Sequence, residues 1–139
     1  MERAGERSLL SDPVTIGLLV YAVYQVALGL VMTFAAGWFF RNVGPFEVRN
    51  DHYTRDSGTF TVALGVAFAV AARWPDSRLG VLGYAFFQYV FHSINHLVDI
   101  NKAHPHRLGP EDLAELAVTA AILGWLLVRT ARERRAARW

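Results

Sequence analysis

The stretch FHSINHLVDI, residues 91–100, places His92 and His96 four positions apart and Asp99 three further on. On a helix, residues spaced by three, four and seven share a face, so Gln88, His92, Asn95, His96 and Asp99 form one polar stripe. Two histidines at this spacing can present ring nitrogens to one metal ion, and carboxylates from neighbouring helices can complete the ligand set. Nitrogen and oxygen donors suit zinc, iron, manganese or copper(II) rather than copper(I), which prefers sulfur. A second grouping, DHYTRD at residues 51–56, repeats the spacing with His52 and Asp56 and sets Arg55 beside them. A third polar group, Glu115, sits about one turn inside the last apolar segment. The metal ligands are therefore expected to be some subset of His52, Asp56, His92, His96, Asp99 and Glu115, with Gln88 and Asn95 orienting ligands and Arg55 tuning the charge.

These groups are embedded in four stretches almost free of charge, residues 14–40, 57–72, 79–99 and 113–128. A helix crossing a ~30 Å hydrocarbon core needs about 20 residues, with roughly 17 as the minimum. The first and third stretches meet that length, and the other two reach it by borrowing a turn from their flanks. A soluble bundle would confine apolar residues to one stripe of each helix. TFTVALGVAFAVAA and LAVTAAILGWLLV are instead apolar or small all round. The chain reads as an all-α, four-transmembrane-helix bundle, multi-pass in the cell membrane. Its helices are expected at about 14–38, 55–73, 79–100 and 111–131, with a basic cytoplasmic tail at 132–139, all in a single domain. The first apolar run is longer than the ~7–15 residues of a signal-peptide core and ends in GWFFRN, so it reads as a retained helix.

Turn signals at residues 44–51, 74–80 and 101–112 separate the helices. Asp56 before SGT reads as the N-cap of the second helix. Pro110 suits the first turn of the fourth, and Glu111 and Asp112 complement its dipole. The N-terminus, second loop and tail hold nine arginines, whereas the first and third loops hold five basic residues, Arg41, Arg49, Arg55, Lys102 and Arg107. The positive-inside rule then puts both termini in the cytoplasm. Trp38, Phe39 and Phe40 mark the outer interface and Trp74 the inner one. In this topology the second helix begins, the third ends and the fourth begins on the outer face, which brings the three polar groupings to one depth.

Other uses of the same residues stand beside metal binding. An ionisable group within a bilayer costs about 2.5–3.5 kcal/mol, so it faces the interior and takes a partner. A purely structural network would leave Asp56 as a cap, Glu115 in the interfacial region, and Asp99 paired with Arg55 or Lys102. A b-type haem would need histidines on facing helices, His52 with His92 or His96, among aromatics such as Tyr53, Phe87, Tyr89 and Phe91. A His–Asp pair at a membrane-boundary cavity suits acid–base chemistry on a lipid, polyketide or isoprenoid. Tyr21 and Gln25 would line the deeper part of such a cavity. There is no GxSxG, HExxH or phosphate-binding glycine loop, so no reaction is named. His104 and His106 read as exposed loop residues. Small residues four apart (Ala63 and Ala67, Gly65 and Ala69, Ala117 and Ala121, Ala120 and Gly124) let helices approach closely in lipid. In a non-catalytic subunit, the polar stripe would mediate packing with a partner or in a homo-oligomer.

The chain has no cysteine, which excludes disulfides, thiolate metal sites and thiol nucleophiles. A net charge of +2, with the basic excess at the C-terminus, points to anionic lipid at about 1 kcal/mol per basic residue rather than to nucleic acid.

GPFEVRNDHYTRDSGTF followed by FHSINHLVDI resembles small four-helix integral membrane proteins of actinobacteria, whose high Ala, Arg and Gly usage is similar. The resemblance spans nearly the whole chain and implies a four-helix membrane fold and no particular activity. The expected function is an outward-facing polar pocket that binds a transition metal for redox, metal-handling or Lewis-acid chemistry on a lipophilic substrate.

Overall fold

Asp12 starts the first helix. Its carboxylate accepts hydrogen bonds from the Val14 and Thr15 N–H groups at 3.0 and 3.3 Å, and Pro13 fits the first helical position, where no N–H is needed. The computed structural model describes residues 12–137, so Arg3, Arg7 and Arg138 of the charge tally lie outside the described residues. Five α-helices follow in order: α1 (Pro13–Phe34), α2 (Ala36–Asn42), α3 (Asp51–Arg73), α4 (Arg78–Val98) and α5 (Leu108–Ala136). A 3-10 turn, Pro75–Ser77, links α3 to α4. No strand occurs among the described residues, and a lone bridge between Phe46 and Ala103 ties the first loop to the third.

Four helix ends differ from the sequence expectation by about one turn. The first helix does not run to residue 38. It stops at Ala35, whose φ of −130° and ψ of 40° are not helical, and α2 carries Trp38, Phe39 and Phe40 in a new direction. The second helix starts at Asp51, because the Asn50 side chain accepts from the Tyr53 N–H at 3.1 Å and is the cap. Asp56 is therefore an interior residue of α3. The last helix begins at Leu108 and continues to Ala136, which absorbs most of the expected tail. Alanine, arginine and glutamate favour helix, and Arg129 pairs with Glu133 one turn on at 2.9 Å.

Packing proceeds in two pairs, α1 along α3 and α4 along α5. Glycine permits the first. A Cβ on Gly29 would stand 2.6 Å from the Gly58 carbonyl oxygen, and one on Gly65 would stand 2.8 Å from the Val26 nitrogen. The two pairs share one core, with Leu18, Phe68, Leu82 and Leu123 fully buried at its centre. At one end of this core the buried Arg78 side chain joins three helices. Its guanidinium donates to the Asp12 carboxylate at 2.8 Å, the Thr15 hydroxyl at 2.7 Å and the Ala71 carbonyl at 3.2 Å.

Among the described residues, two helices are long and apolar enough to cross a membrane, Pro13–Phe34 and Leu108–Ala136. Large apolar side chains nevertheless lie exposed on all four long helices, among them Val23, Phe60, Phe87, Phe91, Val118 and Trp125.

Candidate functional site

The two helix pairs do not close against each other along their whole length. Between them, toward the end where the first and third loops meet, lie two adjoining cavities of 290 and 390 Å³. The smaller, on the loop side, is lined by His92 and His96 from α4, Asp112 and Glu115 from α5, Tyr24 from α1, and Phe39 from α2. The larger, toward mid-helix, is lined by Gln25, Phe60, Thr61, Tyr84, Gln88 and Tyr89 among others. They share Tyr24, Leu28, Met32, Phe39, Ser57, His92 and Leu116, so one cleft has two chambers. The break at Ala35 matters here, because it turns Phe39 over this cleft.

In the loop-side chamber the Nε2 atoms of His92 and His96 stand 3.1 Å apart. In the neutral pair, one ring donates and the other accepts. The Phe46 ring meets the His96 ring edge-on, centroids 4.8 Å apart, and closes the chamber from the first loop. Glu115 Oε1 accepts from the Tyr24 hydroxyl at 2.7 Å. Asp112 Oδ2 and His96 Nδ1 are buried without a hydrogen-bond partner among the described residues. In the mid-helix chamber, Gln25 Nε2 donates to the Tyr89 hydroxyl at 2.8 Å. Gln25 Oε1 and Gln88 Oε1 are buried and have no partner among the described residues.

Of the six candidate ligands, His92, His96 and Glu115 line the loop-side chamber and His52, Asp56 and Asp99 do not. Asp99 lies just beyond the end of α4 as its C-cap, so the helical stripe that linked it to His92 stops short of it. It pairs with Lys102 at 3.0 Å, and Lys102 also reaches Glu47 at 2.7 Å. These two carboxylates hold the Lys102 ammonium above its ordinary pKa of 10.5. His52 and Asp56 pair with each other at 3.4 Å, both exposed, and neither lines the cleft. The cause is rotational. Gly58 faces α1, and at about 100° per residue Asp56 and His52 lie roughly 160° and 120° around the helix from it. Asn95 and Arg55 are likewise exposed. His104 and His106 are exposed in the third loop. Tyr21 packs against Phe68, ring centroids 5.7 Å apart, rather than lining the cleft, whereas Gln25 does line it. No group of three or more His, Asp and Glu side chains among the described residues stands close enough to hold an ion.

Asp112 was visible in the sequence only as a helix-dipole residue. Its spacing of three from Glu115 puts both on one face of α5, which is the signal that would have placed it in the site.

Fold and site define a protein that is helical over the described residues, with two helices long and apolar enough to cross a membrane and, between its helix pairs, a largely apolar cleft that carries polar side chains. No protein-family model matches the chain, no curated protein is similar to it, and no solved structure matches its fold.

Proposed function

We propose that this chain is a multi-pass protein of the cell membrane, with all four long helices crossing the bilayer and both termini in the cytoplasm. We further propose that its loop-side chamber binds a divalent transition metal through Nε2 of His92 and His96. Exposed apolar side chains on all four long helices support the first part, since water is a poor solvent for Val23, Phe60, Phe87 and Val118 together. The observation that carries the second part is the 3.1 Å between the two Nε2 atoms. Two nitrogens at about 2.0–2.1 Å from one tetrahedral ion stand roughly 3.3 Å apart, so the histidines are already near binding geometry.

No third carboxylate or imidazole among the described residues stands within ligand distance of the pair as it is, so Asp112 and Glu115 would supply the oxygen ligands after their side chains turn toward it. Both line the same chamber; Asp112 Oδ2 has no partner to give up, whereas Glu115 exchanges the Tyr24 hydroxyl for the ion. An ion held there would supply Lewis-acid or redox chemistry to a lipophilic molecule in the adjoining chamber. His52 stands exposed outside the cleft, which favours an ion over a haem held between His52 and His92 or His96.

Elemental analysis of detergent-purified protein, with an optical spectrum of the same sample, tests this. Near-stoichiometric zinc, iron, manganese or copper is expected, and its loss from the His92→Ala, His96→Ala double variant. A folded double variant that keeps its full metal content refutes the assignment. The mutual hydrogen bond of the two histidines supports a second reading, a structural polar network. That reading expects no metal in the wild type and a loss of stability or assembly in the double variant.

A further inference from the structure

A third opening, of 340 Å³, runs along the seam between α3 and α4. Its walls include Phe60, Leu64 and Tyr84, which also line the mid-helix chamber, so these side chains stand between the seam and the cleft. Its floor is made of small residues, Ala63, Ala67 and Gly80. A Cβ on Gly80 would meet no atom within 4 Å among the described residues. Phe60 and Tyr84 stand exposed at the mouth. The position of the seam follows from the packing: α1 holds α3 and α4 holds α5, leaving α3 and α4 only lightly joined.

We infer that this seam is a lateral portal through which a neutral, hydroxyl-bearing lipophile enters the mid-helix chamber from the bilayer. The ligand class follows from the unpartnered atoms. Gln25 lines the chamber and is only 3% exposed, and its Oε1 is buried without a partner among the described residues. Gln88 Oε1 is in the same state. Once either side chain turns toward the chamber its Oε1 accepts, so the matching group is a donor such as an alcohol or phenol. No lysine or arginine lines the chamber, which disfavours a phosphate headgroup, and no carboxylate lines it, which disfavours an amine. The remaining walls, including Leu28, Leu64, Tyr89 and Leu116, suit an apolar chain, and the volume lies in the range of small-molecule sites. The inference rests on the membrane placement proposed above and is independent of the metal.

The test uses the full chain in lipid nanodiscs and a photoactivatable farnesol carrying a diazirine, with labelled peptides mapped by mass spectrometry. Label is expected on the cleft segments around Phe60–Leu64 and Tyr84–Gln88. Unlabelled farnesol should compete about tenfold better than the hydrocarbon farnesene, the value of one hydrogen bond. Gly80→Phe fills the seam where no atom opposes it; it should fold and lose most of the label. Gln88→Leu should fold and narrow the preference for alcohol over hydrocarbon. Label spread over outward residues such as Val20 and Val23 and unchanged in Gly80→Phe overturns the portal. Equal competition by farnesene in the wild type overturns the ligand class. Extraction of the chain from native membranes by alkaline carbonate overturns the membrane placement and this inference with it. Cleft labelling in wild-type protein that purifies without any metal supports the portal and overturns the metal assignment alone.

Discussion

Asp112 and Glu115 stand on one face of α5, opposite the two histidines of α4, and their carboxylates are the oxygens nearest in character to what the histidine pair needs. Asp112→Asn and Glu115→Gln should each weaken metal affinity by at least about 10–100-fold in chelator competition, the loss that removing even a group behind a ligand brings. His52→Ala and Asp99→Asn should leave that affinity unchanged, because neither residue lines the chamber. A different residue-scale prediction concerns Arg78 and Asp12. Burial alone would raise the Asp12 carboxyl, but hydrogen bonds from Thr15, the Val14 N–H and Arg78 outweigh it and hold it below the ordinary 3.8. A lowered folded-state pKa contributes stability above 3.8 that is lost as pH falls through the folded value. The thermal midpoint should drop in that acid range, and Asp12→Asn should remove this part of the drop. Arg78→Ala should cost about 2 kcal/mol at neutral pH, less than for a fully buried pair because water reaches part of Asp12.

At the scale of elements, glycine decides which helices touch and which stay apart. On α1, Gly29 faces the Gly58 backbone so closely that Gly29→Val must push the helices apart. It should destabilise by about 1–3 kcal/mol, read as a lowered thermal midpoint in detergent. Gly83 on α4 has no atom within 4 Å of its would-be Cβ among the described residues. Gly83→Ala should therefore stabilise by about 0.5–1 kcal/mol, the helical penalty of glycine being removed without a clash. Opposite signs for adding a side chain at these two glycines would mark the tight α1–α3 contact and the open α4 face. The α1–α2 break also belongs to this scale. Residues 14–40 read as one continuous apolar run, and nothing local in AAGWFF announces that the chain turns at Ala35.

For the whole molecule, the absence of native cysteine makes topology directly measurable. Single-cysteine variants Glu47→Cys and His104→Cys should react with a membrane-impermeant maleimide on intact cells. Asp76→Cys and Arg132→Cys should react only after the membrane is opened. Reaction of both sets from the same side would refute four crossings.

The sequence determined the helical class, the three turns and the presence of polar groups in apolar surroundings, because these depend on local composition and on a 3.6-residue period. It also singled out His92 and His96 as a pair, since four-residue spacing on one helix is a local property that folding does not alter. Which polar groups share a cavity was decided only by the tertiary structure. Helix rotation about the Gly29–Gly58 contact turned His52 and Asp56 outward, the end of α4 released Asp99 to Lys102, and the face of α5 brought in Asp112. Each outcome depends on how one helix is rotated or ended against another. A packing contact between residues distant in the chain sets that angle, and no single segment encodes it.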